Sequence, residues 1–207
     1  MTATDQKILC ASGIVKKRKN PLFNPVTFSL HEGEGLGIQG PNGSGKTTLL
    51  DLFAGILSPD EGSFSRSGNL GYVMQTDGFQ EQLSCIDNLI FEASMLGFSG
   101  KEAKSRAKRA SELCGVESFS TKKLSLCSAG MRTRVGFAAA FLQKPALLLL
   151  DEAFGALDKQ TRLAFHELLQ YEKRKGLAIV FISHDPNDFE GLCERVLTLP
   201  ESEVNTR

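Results

Sequence analysis

Short apolar runs alternate with polar and amphipathic stretches along the first part of the chain. The mix of apolar and polar positions predicts strands at 8–15 and 26–30, and an apolar run at 36–38 predicts a buried strand. Apolar residues then recur at helical spacing over 49–57, until a serine and a proline interrupt the pattern. Another strand is predicted at 70–74. This order places a helix directly after the third strand.

The middle of the chain is more polar and favours helices. The stretch from about 85 to 143 is typical of an inserted helical subdomain. Within it, Ser99 and Glu102 have the spacing of a capping box at a helix start. The segment 101–113 carries a charged face, which is typical of a solvated helix.

Strands and helices alternate again in the last third. The pattern predicts a strand at 146–150, a helix at 161–175 closed by Gly176, and strands at 178–182 and 195–199. Buried, nearly continuous apolar strands that alternate with helices are typical of a parallel sheet covered on both faces. We therefore predict an α/β fold with a mainly parallel core sheet.

The length suits one sizeable domain. We predict a single domain over 1–207, in which 1–84 and 144–207 supply the sheets and the core. Residues 85–143 supply the helical subdomain. The first strands are expected to form an N-terminal antiparallel β subdomain.

The composition narrows the class of protein further. The 24 Lys and Arg residues balance the 24 Asp and Glu residues, so the net charge does not indicate a nucleic-acid partner. Five widely spaced cysteines without a C-x-x-C pair argue against a disulfide framework or a zinc site and favour a reduced cytosol. No apolar run is long enough to cross a bilayer and no secretion signal is evident, so we expect any membrane role to need a partner.

A glycine-rich segment between the third strand and the following helix carries the strongest chemical signal. This phosphate loop consists of Gly40, Pro41, Asn42, Gly43, Ser44, Gly45, Lys46, Thr47 and Thr48. Its glycines allow backbone N–H groups to converge on a polyphosphate, and the helix start that follows favours an anion. Lys46 is expected to reach the β- and γ-phosphates and Thr47 to hold Mg²⁺. The loop predicts a P-loop NTPase.

An acidic pair follows the buried strand of four leucines. Asp151 and Glu152 would lie at the carboxyl end of that strand, where α/β sheets bind ligands. We expect Asp151 to hold the metal, and Glu152 to orient or deprotonate the water that attacks the γ-phosphate. The alternative is a pair of carboxylates that merely ends a strand.

In the order of its motifs, the chain resembles nucleotide-binding domains of the ATP-binding cassette (ABC) family. The phosphate loop is followed by a strand ending at Gln75, by a signature segment at 127–132, by the acidic pair, and by segments 155–158 and 181–185. The family signature normally reads Leu-Ser-Gly-Gly-Gln. Here Ser128 and Gly130 match it, whereas its other positions are Cys127, Ala129 and Met131, a form that resembles an exporter-type branch.

The resemblance implies a role for each matching residue. Gln75 would sense Mg²⁺ and contact a transport subunit. The signature residues Ser128, Ala129, Gly130 and Met131 would face the γ-phosphate held by another subunit. Asp158 would contact that subunit, with an ordinary helix cap as the alternative. His184 would contact the γ-phosphate and stabilise the charge that develops there.

One family feature is missing from its usual place. The aromatic residue that stacks on adenine would fall near Lys17, within the basic run 16–20. Such a run is typical of a solvated loop, with a contact to nucleotide or to a partner as the alternative. Phe23 is the nearest aromatic candidate for the adenine contact.

The resemblance implies an Mg²⁺-dependent ATPase with ATP and Mg²⁺ as its ligands. We expect a homodimer or heterodimer of nucleotide-binding subunits that powers transport through a separate transmembrane permease, on the cytoplasmic face of a membrane and without direct nucleic-acid binding. The alternatives are a soluble mechanochemical ABC ATPase and a nucleotide-binding subunit with weak hydrolysis. A GTPase is disfavoured because no Asn-Lys-x-Asp segment is present.

Overall fold

The computed structural model describes residues 6–18, 20–75 and 78–200. Lys19 of the basic run lies outside these described residues. The strands are β1 (Lys7–Val15), β2 (Val26–His31), β3 (Gly35–Gln39), β4 (Glu61–Arg66), β5 (Leu70–Val73), β6 (Leu147–Asp151), β7 (Ala178–Ile182) and β8 (Arg195–Thr198). The helices are α1 (Lys46–Ala54), α2 (Cys85–Met95), α3 (Gly100–Leu113), α4 (Ala129–Ala140) and α5 (Lys159–Arg174).

A five-stranded parallel sheet forms the centre of the fold. Its strands pair in the order β5-β6-β7-β3-β8, all parallel. Parallel strands end at the same edge of a sheet, so the residues that follow β3, β6 and β7 come together there. The phosphate loop follows β3, Glu152 follows β6, and His184 lies two residues after β7.

The predicted N-terminal antiparallel sheet is present, with one strand more than the sequence pattern indicates. Its order is β2-β1-β4. The additional strand β4 is mostly exposed and polar. Because it buries almost no side chain, β4 lacks the apolar alternation by which a strand is detected in a sequence.

The two faces of the parallel sheet carry separate apolar clusters. Leu147 and Leu149 pack with α1 and the antiparallel sheet, whereas Leu148 and Leu150 pack with the helices on the opposite face. Successive side chains of a strand point to opposite faces, so the four leucines of β6 serve both clusters. The rigid strand thus fixes the position of the acidic pair at its end.

Helix α1 ends earlier than the apolar pattern predicts. Gly55 adopts a left-handed conformation with φ of 80° and donates its N–H to carbonyls of the last turn. The side chains of Ile56 and Leu57 therefore lie outside the helix, and Ile56 is 60% exposed. The prediction that both residues belong to the buried helix is wrong.

Helix α3 packs against α2 and α4 through small side chains, and α4 in turn contacts strand β5 of the sheet. Ala103, Ala107 and Ala110 of α3 lie at helical spacing and are buried in the same cluster as Leu148. The predicted capping box does not form, because the Ser99 side chain makes no cap hydrogen bond and Glu102 pairs with Arg106. None of the helices in the described ranges is both long enough and apolar enough to traverse a bilayer.

Candidate functional site

The phosphate loop curls around the side chain of its own lysine. Lys46 Nζ donates hydrogen bonds to the carbonyl oxygens of Gly40, at 2.8 Å, and Pro41, at 3.1 Å. Gly45 precedes α1 with φ of 92°, and a Cβ atom there would lie 2.8 Å from the Phe23 ring. A residue with a side chain is excluded at this position by both conformation and space.

One buried polar atom in the loop has no protein partner. Ser44 is fully buried, and its hydroxyl oxygen makes no hydrogen bond within the described part of the chain. A buried hydroxyl without a partner is costly, and such groups often mark ligand sites. The orphaned hydroxyl therefore fits a loop built to surround an anion.

Thr47 and Asp151 bring two oxygen ligands together. Thr47 Oγ1 donates a hydrogen bond of 2.8 Å to Asp151 Oδ2. Burial raises the pKa of the Asp151 carboxyl above its ordinary value; the negative charges of Glu152 and Asp51 add to this, while the Thr47 hydrogen bond and Lys46 oppose it. Hard oxygen ligands of this kind suit Mg²⁺, whose positive charge would offset the crowding of carboxylates.

Glu152 is held in an unusual backbone conformation at the end of β6. Its φ is 51°, which is uncommon for a residue with a side chain and often marks functional sites. Its N–H donates to the Ile182 carbonyl at 3.0 Å, which joins the ends of β6 and β7. Its carboxylate lies 2.9 Å from His184 Nε2 and 3.5 Å from Gln75 Nε2. Gln75 and His184, which are far from Glu152 in the sequence, therefore both contact its carboxylate.

The loop that carries His184 is braced by an ion-pair network. Arg162 of α5 contacts the carboxylates of Asp185 and Asp188, with Arg162 Nε 2.8 Å from Asp188 Oδ1. Ser183 accepts a hydrogen bond of 3.0 Å from the Asp185 N–H and donates to the buried Asp188 carboxylate. This network fixes the backbone on both sides of His184.

These groups line one open cavity of about 540 Å³. Its lining consists of Arg18, Leu22, Asn42, Gly43, Gly45, Lys46, Thr47, Thr48, Gln75, Glu152 and His184. Gly40, Pro41 and Ser44 complete the loop beneath the lysine, and Asp151 contacts Thr47. The structure thus brings together the residues predicted for nucleotide, metal and water.

The signature residues lie at the start of α4 and do not line this cavity. Ser128 caps α4, since its Oγ accepts a hydrogen bond of 3.3 Å from the Met131 N–H. A Cβ atom on Gly130 would lie 2.8 Å from the Ala156 carbonyl oxygen, so this glycine lets α4 pack closely against segment 155–158. Asp158 caps α5 by accepting hydrogen bonds from Thr161, as the helix-cap alternative predicted.

Phe23 is not placed to stack on a base. Its side chain is only 3% exposed and packs beneath Gly45. Arg18 and Leu22 line the cavity instead. The sequence signal for this region is the position of the missing aromatic residue near Lys17, which lies in the same loop as Arg18 and Leu22.

Comparisons with known proteins agree with this geometry. A family model described as "ABC transporter" matches residues 23–155, a range that includes the phosphate loop and ends just beyond the acidic pair. The O-antigen export system ATP-binding protein RfbB of Klebsiella pneumoniae is 30% identical over 185 residues, covering 89% of this chain and 75% of RfbB. The linearmycin resistance ATP-binding protein LnrL of Bacillus subtilis is 30% identical over 198 residues, covering 90% of this chain and 64% of LnrL.

The fold also matches solved cassettes. The dimeric structure of MJ0796, a bacterial ABC transporter cassette, has a TM-score of 0.85 at 25% identity and covers 95% of this chain and 97% of that one. Together the matches confirm the predicted P-loop NTPase fold and the predicted class, an ATP-binding and ATP-hydrolysing domain. The chain belongs to the ABC transporter family, as one of its nucleotide-binding domains.

Proposed function

We propose that this chain hydrolyses ATP in a site shared with a second nucleotide-binding domain and thereby powers transport through a separate membrane-spanning subunit. The observation that carries the proposal is the cavity in which the phosphate loop, Gln75, Glu152 and His184 converge. In that cavity a triphosphate on the loop would present its γ-phosphate to Glu152 and His184.

The residue roles follow from the contacts. Lys46 already points its ammonium group at the loop and is the cation for the β- and γ-phosphates. Thr47 and Asp151 would hold Mg²⁺, with Gln75 nearby, and the metal would neutralise charge on the phosphates. Glu152 accepts a proton from, or orients, the attacking water. His184 stabilises the γ-phosphate oxygens.

A second copy is needed because one chain supplies only part of the site. Ser128, Ala129, Gly130 and Met131 form an exposed to half-buried helix start away from the cavity of their own chain. A capped helix N-terminus favours negative charge, so this start suits the γ-phosphate held by another nucleotide-binding domain. Asp158 lies beside it at the start of α5 and would contact that domain.

The base of the nucleotide would rest on Arg18 and Leu22. Both residues line the same cavity as the phosphate loop. A guanidinium group can stack on a nucleobase, and an aliphatic side chain can cover its edge. This pair would replace the aromatic residue that is absent near Lys17.

The membrane partner would contact the surface around Gln75. Met74, Phe91 and Met95 are large apolar side chains that remain exposed beside Gln75 and on α2. Exposed apolar side chains of this kind favour a protein partner. Through it the chain would sit on the cytoplasmic face of a membrane, and the names of RfbB and LnrL favour export or resistance as the purpose.

Turnover of ATP by the purified chain tests the enzymatic part of this proposal. We expect Mg²⁺-dependent release of phosphate, and a loss of about 10²-fold or more in Lys46→Ala, because a cation aimed at the transferred phosphate is removed. Lys108→Ala, on the exposed face of α3, is the matched control and retains turnover. Turnover that is independent of Mg²⁺, or unchanged in Lys46→Ala, would contradict the proposal.

A further inference from the structure

Two cysteine side chains meet where the signature segment contacts the start of α2. Cys85 Sγ and Cys127 Sγ lie 3.4 Å apart. We propose that this pair is a redox modification site: a small-molecule disulfide oxidises it to an internal disulfide, which restrains the signature segment and lowers ATP turnover. A disulfide bond is about 2.05 Å long, so the two sulfur atoms need only approach by about 1.4 Å.

The backbone around the pair is already joined. The Cys85 N–H donates to the Lys122 carbonyl at 3.0 Å, and the Leu124 N–H donates to the Leu83 carbonyl at 3.0 Å. The two segments therefore run side by side before any covalent bond forms. A small movement of the segment around Cys127 towards α2 can close the remaining distance between the two sulfur atoms.

The two sulfur atoms differ in access and in acidity. Cys85 is fully buried, whereas Cys127 is half-buried and meets solvent. Burial raises the pKa of the Cys85 thiol to about 12, and its contact with Cys127 adds to the rise. Cys85 is therefore a poor first nucleophile, and the more accessible Cys127 reacts first.

A small-molecule disulfide can oxidise the two cysteines in two exchange steps. Cys127 loses its proton and attacks one sulfur of the small disulfide, which releases one small thiol and leaves a mixed disulfide. Cys85 then loses its proton and attacks the Cys127 sulfur, which releases the second thiol. Two protein thiols are oxidised, and the small disulfide is reduced to two thiols. Cytosolic disulfides of this reversible kind commonly sense redox state.

The functional consequence rests on the proposed function. Cys127 directly precedes Ser128, whose hydroxyl caps α4 and which we assign to the shared ATP site. A bond from Cys127 to Cys85 draws the cap towards α2 and limits its movement. Displacement of a phosphate-contacting group by about 1 Å can reduce a rate by about 10²-fold.

The test titrates the reduced 207-residue chain with mixtures of oxidised and reduced glutathione. Samples are alkylated, and intact mass with peptide mapping identifies the bonded cysteines; turnover and amide hydrogen exchange over 127–131 are measured on the same samples. We expect an internal bond between Cys85 and Cys127 and slower hydrogen exchange over 127–131. We also expect turnover to fall by about tenfold or more. Dithiothreitol restores turnover.

Three substitutions serve as controls. Cys85→Ala retains the turnover of the reduced protein; with oxidised glutathione it forms no internal bond and stops at the mixed disulfide on Cys127. Cys127→Ser is judged by mass alone, and it forms no internal bond. Cys10→Ser, a half-buried cysteine on β1, leaves the redox response unchanged.

Several outcomes would overturn the proposal. These are a glutathione adduct on Cys127 without an internal bond, a bond between other cysteines, or an internal bond that changes neither exchange nor turnover. A reduced chain without any turnover would contradict the proposed function instead. In that case the mass and the hydrogen exchange still decide the redox proposal.

Discussion

Asp151 and Glu152 are neighbours in the sequence but occupy opposite environments. Asp151 is only 3% exposed, whereas the Glu152 side chain is 31% exposed and contacts His184. The buried carboxylate is held next to Thr47 at a cost in desolvation, which a bound cation would offset. The half-buried Glu152 carboxylate lines the cavity, where it can reach a water molecule. The strand end thus separates the carboxylate that we propose as a metal ligand from the one that we propose as the catalytic base.

The raised pKa of Asp151 leads to a prediction about stability without nucleotide or metal. The folded protein holds this proton more tightly than the unfolded chain, so the free energy of unfolding falls as the pH rises from the ordinary value of 3.8 through the raised folded value. Asp151→Asn has no proton to lose there. We expect its Tm to exceed that of the wild type near neutral pH, by roughly 2–4 °C per kcal/mol, while turnover is lost.

Asp60→Asn serves as the control, because its Tm is expected to change in the opposite direction. The Lys17 N–H and the Lys16 side chain lower the pKa of the exposed Asp60 carboxyl, so its charge stabilises the folded state above the ordinary value of 3.8. Asp60→Asn should therefore lower Tm at neutral pH. The measurement is thermal unfolding from pH 4 to pH 8. A Tm of Asp151→Asn that stays at or below the wild-type value near neutral pH would show that Asp151 carries no desolvation cost.

The proposed base contact gives a second prediction for a single residue. Arg18→Ala should weaken ATP binding by about 1–3 kcal/mol, because a stacking surface is removed. Arg18→Lys keeps the charge and should still bind weakly, whereas Arg18→Tyr supplies a ring and should restore affinity. Calorimetric titration with ATP measures each affinity. If Arg18→Lys binds ATP as tightly as the wild type does, Arg18 contributes to binding through its charge and not through stacking.

Among helices, the starts of α2, α4 and α5 share one geometry. Ser84, Ser128 and Asp158 are N-cap residues with nearly the same backbone angles, and each accepts a hydrogen bond from the N–H three residues later. All three caps stabilise a helix in the same way. They differ in surroundings, since Ser128 and Asp158 lie at the surface that we assign to the second domain.

Because the caps are alike, a comparison of variants at Ser84 and Ser128 separates an effect on stability from an effect on ATP turnover. Ser128→Ala and Ser84→Ala should each lower the free energy of unfolding by about 1 kcal/mol through the lost cap hydrogen bond, and Ser84→Ala also loses the hydrogen bond that its hydroxyl donates to Asp87. Only Ser128→Ala should also lower ATP turnover, by about tenfold or more. Chemical denaturation and phosphate release measure the two effects. A similar fall in turnover for both variants would mean that the signature serine acts through helix stability alone.

The sequence pattern predicted the elements that bury an apolar face and missed those that do not. Strand β7 was predicted with its observed bounds, because all five of its residues are buried. Strand β4 was missed because its side chains are mostly polar and exposed. The end of α1 was misplaced because Gly55 stops the helix although apolar residues continue in the sequence. Local backbone conformation outweighs hydrophobic pattern at such points.

For the molecule as a whole, the parallel sheet explains why the motifs meet. The strands β3, β6 and β7 end at one edge, so spacing along the chain predicted the phosphate loop, Glu152 and His184 as one site. The residues that we propose for the base contact were not predictable in this way. Their position depends on how the loop after β1 packs across Gly45, and no periodic pattern encodes that packing.

In the shared site that we propose, each bound ATP contacts two domains. The cavity of one chain brings together the phosphate loop and the acidic pair, while Ser128 and Gly130 start a helix outside that cavity. Glu152→Gln should slow hydrolysis and leave ATP bound, so the two-domain state should accumulate. The wild type, which hydrolyses ATP, should return to single chains.

The most direct measurement is the mass of Glu152→Gln in solution, by light scattering during size-exclusion chromatography, with and without saturating ATP. We expect the single-chain mass of 22.5 kDa without ATP and about twice that mass with ATP. Lys46→Ala, with ATP, should remain a single chain. A variant that stays at the single-chain mass with saturating ATP and still hydrolyses ATP at the wild-type rate would contradict the shared site.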